Sequence, residues 1–218
     1  MKHALFWSGG KDSLLALDRA RRHGLDVSHL VNIYDGVSGR IRFHGVRHEL
    51  IGAQAQALGM SLVQKASDRQ SFETAFAAAL DELRALGIGG IVFGNIHLAD
   101  VREWYEQRTS AAGFKHVEPL WGCPPAELIR EFVSRGHRSR IVSVNCELGR
   151  REWLGREFSD ELIAEIESLP AADVCGERGE YHSFAFGGPL FQTALNPQGG
   201  EQFEMENHWI EDLTLPAA

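Results

Sequence analysis

Apolar residues recur along residues 1–118 with two different spacings. Short runs of apolar and β-branched residues, typical of buried strands, alternate with longer stretches whose apolar positions recur at i, i+3 and i+4, as on one face of a helix. The clearest helical stretch covers residues 72–86 and ends at Gly87. Further helices are predicted directly after residue 13 and over 50–58 and 101–112. The predicted strands cover residues 4–7, 27–34, 61–65, 90–94 and 115–118.

This alternation of strands and helices predicts the fold class. A helix that connects two strands of one sheet in a right-handed crossover leaves those strands parallel. We therefore predict an α/β domain over residues 1–118, with a five-stranded parallel sheet that is doubly wound. Ligands of such sheets bind in a crevice at the carboxyl ends of the strands. The segments that follow each strand are therefore the first candidates for a site.

Residues 119–125 are rich in proline and glycine and indicate a domain boundary. The elements predicted beyond it are helices over 126–135 and 158–169, a strand over 140–144, a loop and a strand within 173–191, and a last strand from weak alternation over 203–215. We therefore predict a second, smaller α+β domain over residues 119–218.

The composition is that of an ordinary globular protein of 218 residues, with 44% hydrophobic and 24% charged residues. No apolar run reaches the roughly 18 residues of a membrane-spanning helix, and the apolar run before residue 8 is too short for a signal peptide. Cys123, Cys146 and Cys175 are too few and too scattered for a disulfide framework. These features predict a cytoplasmic protein with no membrane contact.

The formal net charge of −8 is distributed unevenly. Residues 1–118 carry 14 Lys and Arg against 13 Asp and Glu, a balance of +1, whereas residues 119–218 carry 8 against 17, a balance of −9. Nucleic-acid binding depends largely on positive charge. The acidic second half therefore disfavours a nucleic acid as the partner.

A glycine-containing loop follows the first predicted strand. Residues 8–13 read Ser-Gly-Gly-Lys-Asp-Ser and run straight into a helix. Such a loop and the first N–H groups of a helix together form an anion site. Lys11 adds positive charge for phosphate oxygens, and Asp12 is a candidate ligand for a divalent metal. The loop does not match the Walker A motif, because Leu5 stands at the position of that motif's first glycine and Asp12 at the position of its Ser or Thr.

Polar residues also follow the second and fourth predicted strands. Tyr34 ends the second strand, and Gly94 and Asn95 come at the end of the fourth. Because the carboxyl ends of parallel strands meet at one edge of a sheet, we expect these residues to converge with residues 8–13 on a nucleotide-binding crevice. His44 lies in the loop after the second strand, and it either approaches the nucleotide or is an ordinary loop histidine.

Residues 175–183 form a second dense cluster of polar residues. It contains Cys175, Glu177, Glu180 and His182, with two glycines between them. Three interpretations stay open from the residues alone: a metal site built from Glu and His, a carboxylate-lined site for ammonium or ammonia, and a solvated glycine turn before a strand. We expect Cys175 to be a structural thiol, because the neighbouring Glu177 would raise its pKa.

Residues 8–13 resemble the PP-loop of the ATP pyrophosphatases, adenine nucleotide alpha-hydrolase-like proteins that split ATP between its α and β phosphates. Four further motifs follow in order: Leu-Trp-Gly at 120–122, Leu-Gly-Arg at 148–150, Gly-Glu-x-Gly-Glu-Tyr-His-Ser at 176–183 and Gly-Pro-Leu-Phe at 188–191. With these motifs the chain resembles the diphthine–ammonia ligase family over residues 5–191. The motif at 176–183 is the most distinctive mark outside the PP-loop.

The resemblance implies an ATP-dependent amidation. ATP adenylates a carboxylate, ammonia attacks the adenylate, and AMP and pyrophosphate leave. In the founding members of the family the carboxylate belongs to diphthine, a modified histidine of translation elongation factor 2. The resemblance therefore implies ATP and Mg²⁺ as cofactors, and ammonia with a small-molecule or protein carboxylate as substrates. A homodimer is expected only because it is the commonest assembly.

The resemblance and the strand ends together assign roles to residues. The residues expected to bind ATP are Ser8, Gly9, Gly10, Lys11, Asp12, Ser13, Tyr34, Gly94 and Asn95, and the expected ligand of Mg²⁺ is Asp12. The residues expected to be catalytic are Lys11, Asp12, Glu177, Glu180 and His182. The last three of these, with Gly179, are expected to line the acyl-acceptor side of the crevice.

Three residues depart from the family pattern: Asn95 and Gly187 replace a usual Asp, and Ser183 replaces a usual Thr. His182 is typical of the bacterial branch, so we expect a bacterial-type member. Elongation factor 2 is then a partner only if the source organism makes diphthamide. Two rival functions stay open: a tRNA-modifying PP-loop enzyme, although the chain has no Cys-x-x-Cys pair, and a nucleotide-binding protein without ligase activity.

Overall fold

Five parallel strands form the first sheet of the protein. The structure is a computed structural model that describes residues 1–68 and 70–216. The strands are β1 Lys2–Phe6, β2 Asp26–Asp35, β3 Ser61–Ser67, β4 Ile88–Val92 and β5 Lys115–Val117. They lie in the order β3-β2-β1-β4-β5, and every neighbouring pair is parallel, which confirms the predicted sheet.

Helices connect these strands and cover both faces of the sheet. They are α1 Lys11–Arg22, α2 His48–Ala57, α3 Phe72–Ala85 and α4 Ala99–Ala111. Buried residues of α1 and α2 belong to one core cluster and those of α3 to another, so the sheet is doubly wound as predicted. From β1 the chain moves outward through β2 and β3 on one side and through β4 and β5 on the other. The crevice therefore opens between the carboxyl ends of β1 and β4.

An antiparallel sheet makes up much of the second half of the chain. The elements here are α5 Pro125–Ser134, β6 Arg138–Asn145, a 3₁₀ turn at Arg151–Trp153, α6 Asp160–Glu167, β7 Tyr181–Gly187, β8 Gln198–Met205 and β9 His208–Thr214. The strands lie in the order β7-β6-β9-β8, so this half has the α+β architecture that the sequence predicts. Within residues 1–68 and 70–216, no helix combines the length and the apolar character that a membrane crossing requires.

The C-terminal tail differs from the prediction. The sequence predicts one last strand over 203–215, whereas β8 and β9 pair as an antiparallel hairpin. Glu206 and Asn207 connect the two strands with φ angles of 48° and 64°. Tight hairpin turns often need positive φ at both central residues, a conformation that Asn tolerates and Glu rarely adopts. The Glu-Asn pair differs from the Asn-Gly pair that usually indicates a two-residue hairpin turn, so the sequence does not reveal this hairpin.

The two halves of the chain share a hydrophobic core. One cluster of buried side chains contains Leu14 and Leu17 of α1 together with Phe132 of α5, Ile141 of β6 and Phe184 of β7. This packing brings the N-terminus of α1 against the second half of the chain. The division into domains at residues 118 and 119 stays a prediction.

Candidate active site

Two serines form hydrogen bonds within the loop between β1 and α1. The N–H of Ser8 donates to Oγ of Ser13 at 3.2 Å, and the two hydroxyl oxygens lie 3.1 Å apart. The N–H of Gly10 donates to Oγ of Ser8 at 3.3 Å. No side chain of the loop caps α1, so the first turn of the helix depends on partners from elsewhere.

Strand β7 packs directly onto this loop. The N–H of Lys11 donates to the hydroxyl of Ser183 at 3.1 Å, and the N–H of Ala185 donates to the carbonyl of Gly9 at 2.8 Å. A methyl group on Gly10 would lie 3.2 Å from the carbonyl oxygen of Ser183. Gly9 has a φ of 88°, and a methyl group there would lie 2.7 Å from a side chain of α2. The two glycines, predicted to contact ATP, are thus required by protein packing.

Gln54 of α2, which was not among the predicted site residues, holds the loop and β7 together. The side chain is 0% exposed. Its Oε1 accepts from the indole N–H of Trp7 at 2.7 Å, and its Nε2 donates to the carbonyls of Gly9 at 2.9 Å and Ala185 at 2.6 Å. A signal for it exists in the sequence. Gln54 falls three and four residues from apolar positions on both sides, so it is a polar residue on the buried face of a helix.

Lys11 and Asp12 form an ion pair at the start of α1, with Lys11 buried and Asp12 half-buried. Lys11 is 3% exposed, and its Nζ contacts both carboxylate oxygens of Asp12, at 2.8 and 3.0 Å, and the carbonyl oxygen of Cys175. Burial is the largest influence and lowers the pKa of Lys11, but the Asp12 carboxylate, together with Tyr181 and Cys175, holds that pKa well above its ordinary value. Burial also raises the pKa of Asp12, against the effect of Lys11. Lys11 is therefore a cation at neutral pH.

These groups line a cavity of about 250 Å³ between β1 and β4, which we call the loop cavity. The predicted site residues that the structure brings together here are Ser8, Lys11, Asp12, Ser13, Gly94, Asn95, Glu177 and His182. The apolar part of the wall, where the rings of Phe6, Phe93 and Tyr105 pack with centroids 4.7 to 5.6 Å apart, was not predicted from the sequence. Nothing distinguishes these residues in the sequence from ordinary core aromatics.

Glu177 joins the turn before β7 to the end of β4. Its Oε2 accepts from the backbone N–H of Ile96 at 3.3 Å. Burial, followed by the negative charge of nearby Asp12, raises the pKa of Glu177 to about 7. The loop cavity therefore has a carboxyl group in its wall that can exchange a proton near neutral pH.

Glu180 lies outside the loop cavity, and its predicted catalytic role stays a prediction. The residue is 2% exposed and does not line the loop cavity. Its Oε1 accepts from the backbone N–H of Asp173 at 2.6 Å, and its Oε2 accepts from that of Arg178 at 3.1 Å. The carboxylate accepts from one buried and one partly buried backbone amide, so Glu180 shapes the turn that carries Glu177.

His182 lies among other imidazole rings. Its ring centroid is 4.8 Å from that of His44 and 5.9 Å from that of His208. Burial, with the neighbouring His44, holds the pKa of His182 well below its ordinary value. Burial also lowers the pKa of His44 to about 4, and the Nδ1 of His44 lies 3.0 Å from the carbonyl oxygen of Ser183. His44 also lines the loop cavity, so the structure favours the interpretation that places it in the site.

Tyr34 lines a different cavity from the loop. This second cavity, of about 260 Å³, lies at the carboxyl ends of β2 and β3, and we call it the β2 cavity. The ring of Tyr34 stacks on that of His48 with centroids 4.2 Å apart. Phe43 lines the β2 cavity and the next residue, His44, lines the loop cavity. The single crevice expected from the sequence is therefore two adjacent cavities that meet at this dipeptide.

No preformed metal centre is found in the part of the chain that the structure describes. No group of three or more His, Cys, Asp or Glu side chains there is arranged to hold an ion. The metal interpretation of residues 175–183 thus finds no support. A single carboxylate such as Asp12 suits Mg²⁺, which is usually bound through one or two carboxylates with substrate phosphates and water. The residues therefore fit Mg²⁺ that arrives with a nucleotide.

Comparison with known proteins covers nearly the whole chain. The family model described as diphthamide synthase N-terminal domain matches residues 1–116, and the one described as diphthamide synthase C-terminal domain matches residues 124–215. The Mus musculus diphthine–ammonia ligase is 24% identical, with 89% of this chain and 82% of that protein covered. The Danio rerio diphthine–ammonia ligase is 22% identical, with 86% and 83% covered. Both relatives are vertebrate proteins and give no support to the expected bacterial type.

Two solved structures are also similar. The "predicted subunit of tRNA methyltransferase" from Methanocaldococcus jannaschii is 16% identical, covers 89% of this chain and 100% of its own, and has a TM-score of 0.48. The U34-tRNA thiolase NcsA from Methanococcus maripaludis is 15% identical, covers 62% and 57%, and has a TM-score of 0.42. The two family models confirm the resemblance carried by the motifs. This chain belongs to the diphthamide synthase family.

Proposed function

We propose that this protein is an ATP-dependent, AMP-forming ligase that joins ammonia to a carboxylate through an acyl-adenylate. The observation that carries the proposal is the ion pair of buried Lys11 with half-buried Asp12 at the start of α1, in one cavity with Glu177. A fixed cation, a helix N-terminus and a carboxyl group of nearly neutral pKa together suit phosphate chemistry followed by proton transfer. Because the curated relatives are named diphthine–ammonia ligases, diphthine is the first carboxylate to test.

The two adjacent cavities fit the two parts of ATP. The loop cavity offers phosphate groups the ammonium of Lys11 and the hydroxyls of Ser8 and Ser13. The β2 cavity offers the adenine ring the aromatic side chains of Tyr34 and Phe43. At about 250 and 260 Å³, the cavities together have the size of a site for a small organic ligand. Mg²⁺ would be held by Asp12 and phosphate oxygens, where it supplies positive charge.

Two displacement steps follow from this arrangement. A carboxylate oxygen of the acceptor attacks the α-phosphorus, and pyrophosphate leaves with the electrons of the broken P–O bond. Lys11, held in place by Asp12, stabilises the charge that develops on the phosphates. The nitrogen of ammonia then attacks the acyl carbon, and the C–O bond to AMP breaks. Glu177 accepts a proton from that nitrogen, for which its pKa of about 7 is suitable.

Exchange of labelled pyrophosphate into ATP tests the first step. With a carboxylate acceptor present, Lys11→Ala and Asp12→Ala should lower the exchange rate by roughly 100-fold or more, because each removes part of the charge arrangement at the phosphates. The control is Asp26→Asn, an exposed residue at the opposite end of β2, which should exchange at the wild-type rate. Circular dichroism checks that each variant is folded. Full exchange by both loop variants would contradict the proposal.

The tRNA-thiolating alternative finds little support in the cysteines. Cys123, Cys146 and Cys175 are all free, and Cys175 is the one that lines the loop cavity. Its Sγ donates to the carbonyl of Pro125 at 3.3 Å, and burial raises the pKa of the Cys175 thiol far above its ordinary value. It therefore behaves as a structural thiol. The remaining rival is a nucleotide-binding protein without ligase activity. Exchange of pyrophosphate by the wild type would argue against this rival, and binding of ATP without exchange would favour it.

A further inference from the structure

Asn95 has one side of its amide fixed by a carboxylate. The residue follows β4 and lines the loop cavity. Its Nδ2 donates to Oε1 of Glu118 at 2.7 Å. Nδ2 is the donor atom of the amide and Oδ1 its acceptor, so this contact orients the side chain: Nδ2 faces Glu118 and Oδ1 faces away from it. Among the described residues, no hydrogen bond engages Oδ1.

Glu118 is buried beside two nitrogen-bearing side chains. Its side chain is 3% exposed, with Nε2 of His116 3.0 Å from Oε1 and Nε of Arg102 3.3 Å from Oε2, although the geometry of these contacts is not that of hydrogen bonds. The Nδ1 of His116 lies 3.1 Å from the hydroxyl of Thr109, and the His116 ring stacks on Phe93, which lines the loop cavity. Glu118 is therefore a buried carboxylate behind the cavity wall that accepts from Asn95, and we call it the anchor.

This anchor explains why position 95 carries an amide. An aspartate at 95 would place two carboxylates within hydrogen-bond distance of each other with no proton between them, which is strongly unfavourable. Asn95 instead donates to Glu118 and adds no charge to the cavity that it lines. The negative charges of the cavity are then left to Asp12 and Glu177.

We propose that Oδ1 of Asn95 accepts a hydrogen bond from bound substrate, and that Glu118 is the positioning residue that holds it for this purpose. The inference rests on the proposed function, which supplies two groups able to donate: a ribose hydroxyl of ATP and the N–H of the nitrogen donor. Both are hydrogen-bond donors small enough to reach a single amide oxygen. Separate experiments distinguish the two sources and test the anchor itself.

Thermal unfolding against pH tests the anchor without any assumption about function. In Asn95→Asp the facing carboxylates raise the pKa of one of them, so the folded state binds that proton more tightly than the unfolded chain does. The variant should match wild type near pH 4 and lose stability, relative to wild type, as the pH rises to 8. Adding Glu118→Gln should remove the loss, because the new amide donates to the aspartate.

The matched control is Asn196→Asp, which adds the same charge at an exposed loop position. It should follow the wild-type curve at every pH. An Asn95→Asp curve that also follows wild type would overturn the anchor, and so would a loss of stability that Glu118→Gln leaves unchanged.

Calorimetry with Mg²⁺ and nucleotide tests the substrate contact. If a ribose hydroxyl is the donor, 2′-deoxyATP or 3′-deoxyATP should bind wild type about tenfold more weakly than ATP, and Asn95→Ala should bind ATP and that analogue equally. Glu118→Ala should behave as Asn95→Ala does, whereas Glu118→Gln, whose amide oxygen still accepts from Asn95, should keep the discrimination. A general structural defect would weaken all nucleotides alike and leave the discrimination unchanged.

If the nitrogen donor is the partner, the deoxy analogues should bind wild type as ATP does. Ammonium chloride should then raise the melting temperature of the Mg²⁺–ATP complex above the value in potassium chloride of equal ionic strength. Asn95→Ala should abolish that rise. Absence of both effects overturns the substrate contact. Failure of wild type to bind ATP at all would instead overturn the proposed function. The unfolding of Asn95→Asp against pH would still test the contact between Asn95 and Glu118.

Discussion

At the scale of single residues, Glu177 and Glu180 show how identical side chains in one turn take different roles. Both lie in the Gly-Glu-x-Gly-Glu motif, and the sequence offers no reason to separate them. The structure separates them through backbone amides. Glu180 accepts from two amides of its own turn, whereas Glu177 accepts from one amide at the end of β4 and lines the loop cavity. Residue types were thus predictable, but side-chain direction depended on contacts that the sequence does not show.

Glu177→Gln should change the pH dependence of stability. The folded state raises the pKa of Glu177 to about 7, so it binds the proton more tightly than the unfolded chain does. Wild type therefore loses stability as the pH rises from about 4.5 to 7, and the glutamine variant, which has no proton to lose, does not. The variant should gain roughly 1–3 kcal/mol relative to wild type above pH 7 and nothing at pH 4. Urea unfolding across this range measures the difference, and parallel curves would contradict the assignment.

Glu180→Gln is the matched comparison in the same turn. Glutamine has one acceptor oxygen for the two amides, so one buried N–H is left unpaired at a cost of about 1–3 kcal/mol. The loss should be present at every pH from 5 to 8, measured by the same urea series. Wild-type stability of this variant would show that the two amide contacts contribute little.

At the scale of elements, the loop of residues 8–13 is held by parts of the chain that are distant in the sequence. Strand–helix alternation was enough to place residues 8–13 at the end of β1 and at the start of α1. It gave no sign that β7 would pack on that loop, because the contacts of Gly9 and Lys11 with β7 span more than 170 residues. Gln54 adds to this contact, because its Nε2 donates to the carbonyls of both Gly9 in the loop and Ala185 in β7. The contacts of the loop with β7 and Gln54, and not the loop alone, set the geometry at Lys11.

Gln54→Leu should destabilise the protein strongly. It leaves the indole N–H of Trp7 and the carbonyls of Gly9 and Ala185 without their side-chain partner, which we expect to cost about 3 kcal/mol or more. Gln56→Leu, at an exposed position of the same helix, is the control and should stay within about 0.5 kcal/mol of wild type. Urea unfolding measures both. Equal urea midpoints for the two variants would mean that Gln54 does not hold the loop and β7 together.

At the scale of the whole molecule, the sheet topology was predictable and the union of the two halves was not. Alternating strands and helices specify a parallel sheet and the edge that carries the site. The Pro- and Gly-rich segment 119–125 suggested a boundary, yet α1 is joined to α5 by buried apolar contacts and by ion pairs of Arg22 with Glu131 and of Arg135 with Asp18. Local Pro and Gly content indicates where helices and strands end. Whether the segments on either side share a core depends on packing between residues that are distant in the sequence.

A fragment of residues 1–118 should therefore fail to fold on its own. Without the second half, the apolar face of α1 that packs on α5, β6 and β7 would be exposed to water. We expect the fragment to aggregate or to unfold without a cooperative transition, whereas the full chain unfolds cooperatively. Calorimetry and sedimentation compare the two. A monomeric fragment with a sharp transition would instead support two independent domains.

The products of ATP turnover test the central claim most directly. The protein is incubated with Mg²⁺–ATP, ammonium and a diphthine-bearing substrate such as modified elongation factor 2, and phosphorus NMR follows the nucleotides. The proposed ligase should release AMP and pyrophosphate in equal amounts, with one amide formed per AMP, and Asp12→Ala should release neither. Formation of ADP and phosphate, or amide formation without AMP, would contradict cleavage at the α-phosphate.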